Sequence, residues 1–158
     1  MNQKTAAIAL GSNLTSPFGN PAANLREATR RLASLGEVKA VSSFYETDPV
    51  GYLDQPCFIN AAALLETTLE PVQLIRELLA VERAMGRDRT GAVAKGPRVI
   101  DLDLLLYGVR VISTPELTLP HPAMHERRFV LEPLAEIAPT MMHPVLRFTV
   151  QELLQRLK

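Results

Sequence analysis

The chain has 158 residues, 47% hydrophobic and 22% charged, a composition typical of one globular domain over residues 1–158. Lysine plus arginine and aspartate plus glutamate both number 17, which argues against a protein that coats a nucleic acid. The single cysteine excludes an intrachain disulfide, and the apolar run at 6–10 is too short for a signal sequence or a membrane span. We therefore expect a cytoplasmic protein with no membrane or nucleic-acid partner, and we expect a monomer.

The first elements in chain order are a predicted strand at residues 5–10 and a predicted helix at residues 20–36. Asn20 is a suitable N-cap, because its side chain can accept a hydrogen bond from the first turn, and Gly36 is predicted to end the helix. Apolar residues recur every three or four positions, which predicts one buried stripe made of Leu25, Ala28, Leu32 and Leu35.

Two strands, a second helix and a further strand are predicted next. The strands lie at 38–47 and 57–67, the helix at 71–86 with Gly86 as its end, and the last strand at 99–107. The inward side of the second helix is predicted to carry Leu74, Ile75, Leu78, Leu79 and Met85. The resulting order, βαββαβ, favours an α+β fold with a ferredoxin-like core and a mainly antiparallel sheet.

The C-terminal part of the chain predicts further elements beyond this core. Residues 109–113 are expected to pair back with the preceding strand across Gly108. Residues 124–139 are expected to be helical, with an interruption at Pro133, and Thr149 with Glu152 forms a capping box that opens a last helix.

Two aspartates, Asp101 and Asp103, interrupt the otherwise apolar strand at 99–107. Side chains alternate along a strand, so both carboxylates should point the same way, with Cα atoms roughly 7 Å apart at about 3.3 Å per residue. Two oxygen ligands on one rigid strand suit a magnesium ion, although an exposed pair on a half-buried sheet is the commoner meaning of this pattern. One face is predicted to carry Ile100, Leu102, Leu104 and Leu106, and the other Val99, Asp101, Asp103, Leu105 and Tyr107.

A basic segment lies directly before the aspartates and contains Arg87, Arg89, Lys95 and Arg98. Cations beside two carboxylates indicate a site for a polyphosphate with its metal, and a solvated charged loop is the alternative interpretation. Gly86 and Gly91 have half of the spacing of a phosphate-binding P-loop, but the lysine and hydroxyl residues that such a loop needs are missing.

His121 and His125 lie four residues apart, a spacing that two zinc ligands can have, but no third ligand is evident and Pro122 intervenes. We prefer to interpret His121 and Arg127 as contacts to an anion. Cys57 is interpreted as a small buried residue rather than a nucleophile, because no base is identifiable beside it.

The chain resembles the 6-hydroxymethyl-7,8-dihydropterin pyrophosphokinase family from Ile8 onwards over nearly its whole length. Three segments carry the resemblance in the family order: SSFYETDPVGYLDQPCFINAA, GPRVIDLDLLLYG and LTLPHPAMHERRFVL. The resemblance implies a three-layer αβα fold with helices on both sheet faces. It also implies transfer of pyrophosphate from ATP to the pterin hydroxymethyl group, with AMP as the other product.

The resemblance also assigns roles to the polar residues. Asp101 and Asp103 are expected to hold two magnesium ions along the triphosphate. The expected phosphate contacts are Arg87, Arg89 and Arg98, and the expected nucleotide contacts are Glu82, Leu104, Thr118, His121 and Arg127. The expected catalytic set is Arg87, Arg98, Asp101 and Asp103. For the pterin, Phe58 and Phe129 are expected to stack on the ring, Asn60 to bind its polar edge, and Thr47, Pro49 and Val50 to line the pocket.

Two positions depart from the family pattern. Lys95 stands where many members have a tryptophan, and Glu116 stands where some have an arginine near the nucleotide. Residues 87–97 contain few apolar anchors, so we expect them to be mobile in the free enzyme and to close over ATP.

Two other classes of protein have the same predicted topology. A ferredoxin-like small-molecule sensor would not need Asp101 and Asp103 beside an arginine-rich loop. A single-stranded RNA binder would need aromatic platforms on the central strands, and the chain has no tryptophan and only three tyrosines and five phenylalanines.

Overall fold

A computed structural model describes residues 3–48, 56–86 and 98–157 of the chain. The elements in chain order are β1 Lys4–Ser12, α1 Pro21–Leu32, β2 Glu37–Val41, β3 Tyr45–Thr47, β4 Phe58–Thr67, α2 Pro71–Ala84, β5 Asp101–Tyr107, β6 Ile112–Ser113, β7 Thr118–Leu119, a 3₁₀ turn Met124–Glu126, α3 Arg128–Ile137 and α4 Val150–Arg156. Within these described ranges, no helix is both long and apolar enough to cross a membrane.

The main sheet has the strand order β2-β4-β1-β5, and β3 pairs with β4 beyond the end of β2. Every pair in it is antiparallel, as predicted for the core of the chain. The strand predicted at 38–47 is divided between β2 and β3. The reason lies at Ser42, whose hydroxyl accepts a hydrogen bond from the Ala62 amide at 2.9 Å, and at Ser43, whose amide donates to Glu136 instead of to the sheet.

The predicted pairing of residues 109–113 with β5 is wrong. β6 pairs instead with β7, so that Ile112 faces Leu119. The outer edge of β5 already has other partners: the Leu102 amide donates to Glu82, and the Leu105 carbonyl accepts from the His121 amide. Because these backbone groups are already hydrogen-bonded, β5 has fewer donors and acceptors left to pair with another strand.

Helix α1 begins as predicted, because the Asn20 side chain accepts a hydrogen bond from the Ala23 amide at 2.9 Å. It ends at Leu32, so the prediction that Gly36 ends it is wrong. Gly36 is needed for close approach, since a Cβ atom there would lie 2.3 Å from the Glu66 carbonyl oxygen. Gly86, in contrast, follows the C-cap residue of α2, Met85, and has a positive φ of 100°, as a helix-ending glycine should.

Two separate apolar clusters pack against the sheet. The first joins α1 and α2 to the strands through residues such as Leu25, Leu74 and Ile8. The second joins α3 and α4 to the strands through residues such as Leu131 and Leu153. The Thr149–Glu152 capping box at the start of α4 is confirmed. The helix predicted at 124–139 is instead a 3₁₀ turn followed by α3, separated by extended backbone at Arg127, while Pro133 lies within α3.

The predicted alternation along β5 holds from Ile100 to Leu105 and then fails. Leu106 packs in the second cluster and Tyr107 in the first, the reverse of the prediction. The cause is a register shift against β1: Leu104 faces Ile8, whereas Leu106 faces Ala7, so Leu105 is an extra residue on β5. Such a bulge exchanges the faces of all later side chains, and the two aspartates precede it.

Candidate active site

A cleft opens where β1, β4 and β5 meet the beginning of α3. It brings together residues that are far apart in sequence, and most of the described residues predicted for catalysis and pterin binding line it. These are Thr47, Phe58, Asn60, Arg98, Asp101, Asp103 and Phe129, and Arg127, predicted as a nucleotide contact, lines the cleft as well. The predicted residues Pro49, Val50, Arg87 and Arg89, and the segment 87–97 expected to close over ATP, lie outside the described residues.

The register of the central strand places the polar groups of the cleft in a row. Gly11 of β1 faces Asn60 on β4 and Asp101 on β5. Directly opposed residues in a sheet point to the same face, so these two side chains flank the glycine. A Cβ atom at Gly11 would lie 3.0 Å from the Asn60 Oδ1 atom, and its absence leaves the floor of the cleft open.

The next row along the sheet contains Asp103 and the small residue Ala9, which face each other. Ala9 and Gly11 both line the cleft, and neither was identified from the sequence. A usable signal was present, because Ala7, Ala9 and Gly11 are small residues at alternate positions and therefore on one face of a strand.

Arg98 neutralises part of the negative charge of the aspartate pair. Its Nη1 atom lies 3.1 Å from Asp101 Oδ2, and the side chains are 19% and 23% exposed. Asp103 is half-buried in the same cleft. Carboxylates that are partly exposed, lie in adjacent rows of one face and border an open cleft are suitable oxygen ligands for a hard divalent cation.

Two aromatic rings line the cleft, and a guanidinium lies over each of them. The Cζ atom of Arg98 is 5.9 Å from the centroid of the Phe58 ring, and that of Arg127 is 5.7 Å from the centroid of the Phe129 ring. At these distances, the positive charge is attracted by the face of each ring. The cleft therefore combines flat apolar surfaces with cationic groups, a combination suited to an aromatic ligand that carries negative charge.

Asn60 is 7% exposed, and its Nδ2 atom donates to Thr47 Oγ1 at 2.5 Å. This hydrogen bond joins β3 to β4 inside the cleft and orients the amide. Asp48, which follows Thr47, also lines the cleft and was not identified from the sequence.

Several residues expected to contact the nucleotide are not part of the cleft wall. Glu82 is 1% exposed, and its Oε2 atom accepts from the Leu102 amide at 2.7 Å. Leu104 is buried in the first apolar cluster, and Thr118 is exposed on β7. Glu116 forms a bidentate pair with Arg76, at 2.7 and 3.0 Å, on the surface.

His121 is partly buried, and its Nδ1 atom accepts from the Ala123 amide at 3.1 Å. Burial lowers the pKa of His121, the positive charge of Arg127 lowers it further, and Asp101 opposes the shift. The lowered pKa favours the neutral form of His121 near pH 7.

The zinc alternative receives no support in the part of the chain that the structure describes, where no three metal-binding side chains cluster. His125 has partners of its own: Glu126 at 3.6 Å and the ring of His143. The interpretation of Cys57 as buried is wrong, since it is exposed and 3.7 Å from Asp48. Desolvation, followed by the nearby carboxylates, raises the pKa of its thiol, which disfavours the nucleophilic thiolate.

Comparison with known proteins matches the chain to one family. The family model for 7,8-dihydro-6-hydroxymethylpterin-pyrophosphokinase matches residues 7–139. The chain is 44% identical to the 2-amino-4-hydroxy-6-hydroxymethyldihydropteridine pyrophosphokinase of Haemophilus influenzae, over 89% of this chain and 85% of that protein. It is 47% identical to the protein of the same name in Bacillus subtilis, over 84% of this chain and 77% of that protein.

Longer relatives contain a region similar to this chain. This chain is 38% identical to the folic acid synthesis protein fol1 of Schizosaccharomyces pombe and spans only 20% of the length of that protein. The fold matches that of Plasmodium falciparum HPPK-DHPS, solved with pteroate, with a TM-score of 0.75 and 16% identity over 98% of this chain and 42% of that one. The family model and the two bacterial relatives show that the chain belongs to the 7,8-dihydro-6-hydroxymethylpterin-pyrophosphokinase family.

Proposed function

We propose that the protein transfers pyrophosphate from ATP to the hydroxymethyl group of 6-hydroxymethyl-7,8-dihydropterin, with release of AMP, as a step in folate biosynthesis. The observation that carries this proposal is the row formed by Asn60, Gly11 and Asp101. This row puts the oriented amide of Asn60 at one side of the cleft and the Asp101 carboxylate with its Arg98 partner at the other. A flat heterocycle whose side arm reacts with a polyphosphate needs this separation of groups.

The pterin lies on the Asn60 side in this proposal. The rings of Phe58 and Phe129 supply apolar faces for stacking, and such contacts add about 0.5–1.5 kcal/mol beyond the burial of area. Asn60 presents donors and an acceptor to the polar edge of the heterocycle, with its orientation held by Thr47.

The triphosphate lies on the Asp101 side, where two magnesium ions would be held by Asp101 and Asp103. Bound magnesium supplies charge neutralisation to the phosphates. Arg98, already beside Asp101, stabilises the negative charge that develops toward the departing AMP. Arg127 faces the same cleft and binds phosphate or nucleotide. Because the reaction is a phosphoryl-type transfer, positioning and charge stabilisation provide most of the rate enhancement.

The proposal also includes the layout of the fold, the state of the protein in the cell and the remaining nucleotide contacts. The order β2-β4-β1-β5, with α1 and α2 packed through one cluster and α3 and α4 through the other, supports a ferredoxin-like core in a three-layer arrangement. A cytoplasmic location, a monomeric state and a single pyrophosphokinase domain over residues 1–158 stay predictions. Glu82, Leu104, Thr118 and His121 remain proposed nucleotide contacts, together with Arg87 and Arg89.

The function is tested by incubating the protein with ATP, magnesium and the hydroxymethyl pterin, and separating the nucleotides by chromatography. We expect AMP in amounts equal to the pterin diphosphate, and no AMP when pterin or magnesium is left out. ADP as the product would mean that a single phosphoryl group moves and would refute the pyrophosphokinase. Binding of pterin without turnover would favour the small-molecule sensor.

A further inference from the structure

We propose that Asn13 is a positioning residue that sets the place of the Arg98 guanidinium in the cleft, an inference that rests on the function proposed above. Asn13 directly follows β1 and is 2% exposed. It does not line the cleft. Its effect on the reaction would therefore be exerted through the backbone segments that it binds.

Asn13 binds the backbone of Arg98 at two points. Its side-chain Oδ1 atom accepts from the Arg98 backbone amide at 2.9 Å, and its backbone amide donates to the Arg98 carbonyl at 3.1 Å. These two bonds fix the backbone from which the Arg98 side chain extends toward Asp101, three residues later. A change in this backbone would move the guanidinium relative to the carboxylate.

Another hydrogen bond of Asn13 reaches the segment that leads to Phe58, on the other side of the cleft. Its Nδ2 atom donates to the Pro56 carbonyl at 3.0 Å, two residues before Phe58. The Arg98 guanidinium lies over the Phe58 ring, so the segment bonded through Pro56 and the segment bonded through Arg98 meet inside the cleft. The buried side chain of Asn13 thus sets the spacing between Phe58, the proposed pterin-stacking ring, and Arg98, the proposed phosphate-binding cation.

The loop that carries Asn13 is itself bonded to α1. Asn24, which is fully buried, donates through Nδ2 to the Leu14 carbonyl at 2.7 Å and to Ser12 Oγ at 3.2 Å. Its Oδ1 atom accepts from Ser16 Oγ at 2.5 Å. The residues on both sides of Asn13 are therefore held by a helix of the core, which gives Asn13 a rigid base.

The test is a double-mutant cycle that combines Asn13→Ala with Arg98→Ala. Because a misplacement of about 1 Å can cost roughly 10²-fold in rate, we expect Asn13→Ala to lower kcat by about 10- to 100-fold. In the Arg98→Ala background, the same change should cost less than about threefold, since the group that Asn13 positions is already gone. Thr149→Ala removes one side chain–backbone hydrogen bond at the start of α4, outside the cleft lining, and should leave kcat unchanged.

Additive losses in the cycle would overturn the inference, because a residue that only supports the fold would act equally in both backgrounds. Wild-type protein that forms no AMP in the presence of pterin would overturn the proposed function and this inference with it. If Asn13→Ala does not fold, the cycle is run with Asn13→Leu, which keeps roughly the volume and removes both side-chain hydrogen bonds, the acceptor for the Arg98 amide and the donor to Pro56. The same non-additivity is expected, and additivity would again refute the positioning role.

Discussion

Replacing Asp101 with asparagine separates its role in the reaction from its role in stability. The substitution keeps the volume of the side chain and removes the charge 3.1 Å from Arg98. Because both side chains of this pair retain some contact with solvent, at 19% and 23% exposure, and asparagine keeps an oxygen acceptor for Arg98, we expect the change to lower the free energy of unfolding by about 1 kcal/mol. For a chain of this length, that corresponds to a fall in Tm of no more than about 4 °C.

The expected loss of activity is much larger than this loss of stability. Asp101 contacts Arg98 and is proposed to hold magnesium, so the change weakens both sources of charge stabilisation in the transition state. Removing one such group typically lowers kcat by about 10²- to 10³-fold. We expect Asp101→Asn and Asp103→Asn each to lower kcat by at least about 10²-fold, while their far-ultraviolet circular dichroism stays that of the wild type.

The assay measures AMP formation over a range of magnesium concentrations, and a thermal melt is recorded for each variant. Glu27→Gln is the matched control, because it also removes a carboxylate paired with an arginine three residues away, on α1 and outside the cleft lining. The control should retain wild-type kcat. Turnover of Asp101→Asn or Asp103→Asn within fivefold of the wild type, at the same magnesium requirement, would refute the metal assignment.

Three further predictions concern ring stacking, a buried carboxylate and pH dependence. Phe58→Ala and Phe129→Ala should weaken pterin binding far more than ATP binding, measured by calorimetric titration of each ligand. Glu82→Ala should lower the free energy of unfolding in urea by about 1–3 kcal/mol, because a buried amide of β5 loses its acceptor, whereas Glu82→Gln should lose less. The hydrogen bond from Tyr45, followed by the Ser43 amide, lowers the pKa of Glu136, so its stabilising effect is present above the ordinary carboxyl pKa of about 4.3 and is lost as pH falls through the lowered value. The stability difference between wild type and Glu136→Gln, measured in urea at pH 7 and pH 3, should therefore shrink at the lower pH.

Each of these predictions has an outcome that contradicts it. Equal losses of pterin and ATP affinity in the phenylalanine variants would show that the two rings do not belong specifically to the pterin site. Wild-type stability of Glu82→Ala would show that another group takes over the β5 amide. A stability difference for Glu136→Gln that is the same at pH 7 and pH 3 would show that its carboxylate contributes no more as an ion than as an acid.

Local features of the sequence were sufficient to predict the ends and faces of several elements. The Asn20 cap, the Thr149–Glu152 box and the glycine after α2 depend on residues within a few positions of each other, so the chain specifies them without knowledge of the rest of the fold. The common face of Asp101 and Asp103 also followed from the period of a strand, because the bulge on β5 lies beyond them. Resemblance to a family then connected these residues to a chemistry.

The remaining features depend on which strands become neighbours. The row of Asn60, Gly11 and Asp101 requires β1 to lie between β4 and β5, and no local pattern states that order. Gly36 is the residue type that commonly ends a helix, yet a glycine is required there because the backbone of β4 approaches it closely. Asn13 bonds to residues 43 and 85 positions away, contacts that exist only after the sheet has formed. The sequence by itself determined the short-range structure and the chemical groups, and the tertiary structure decided the distances between them, because register and packing join segments that the chain keeps far apart.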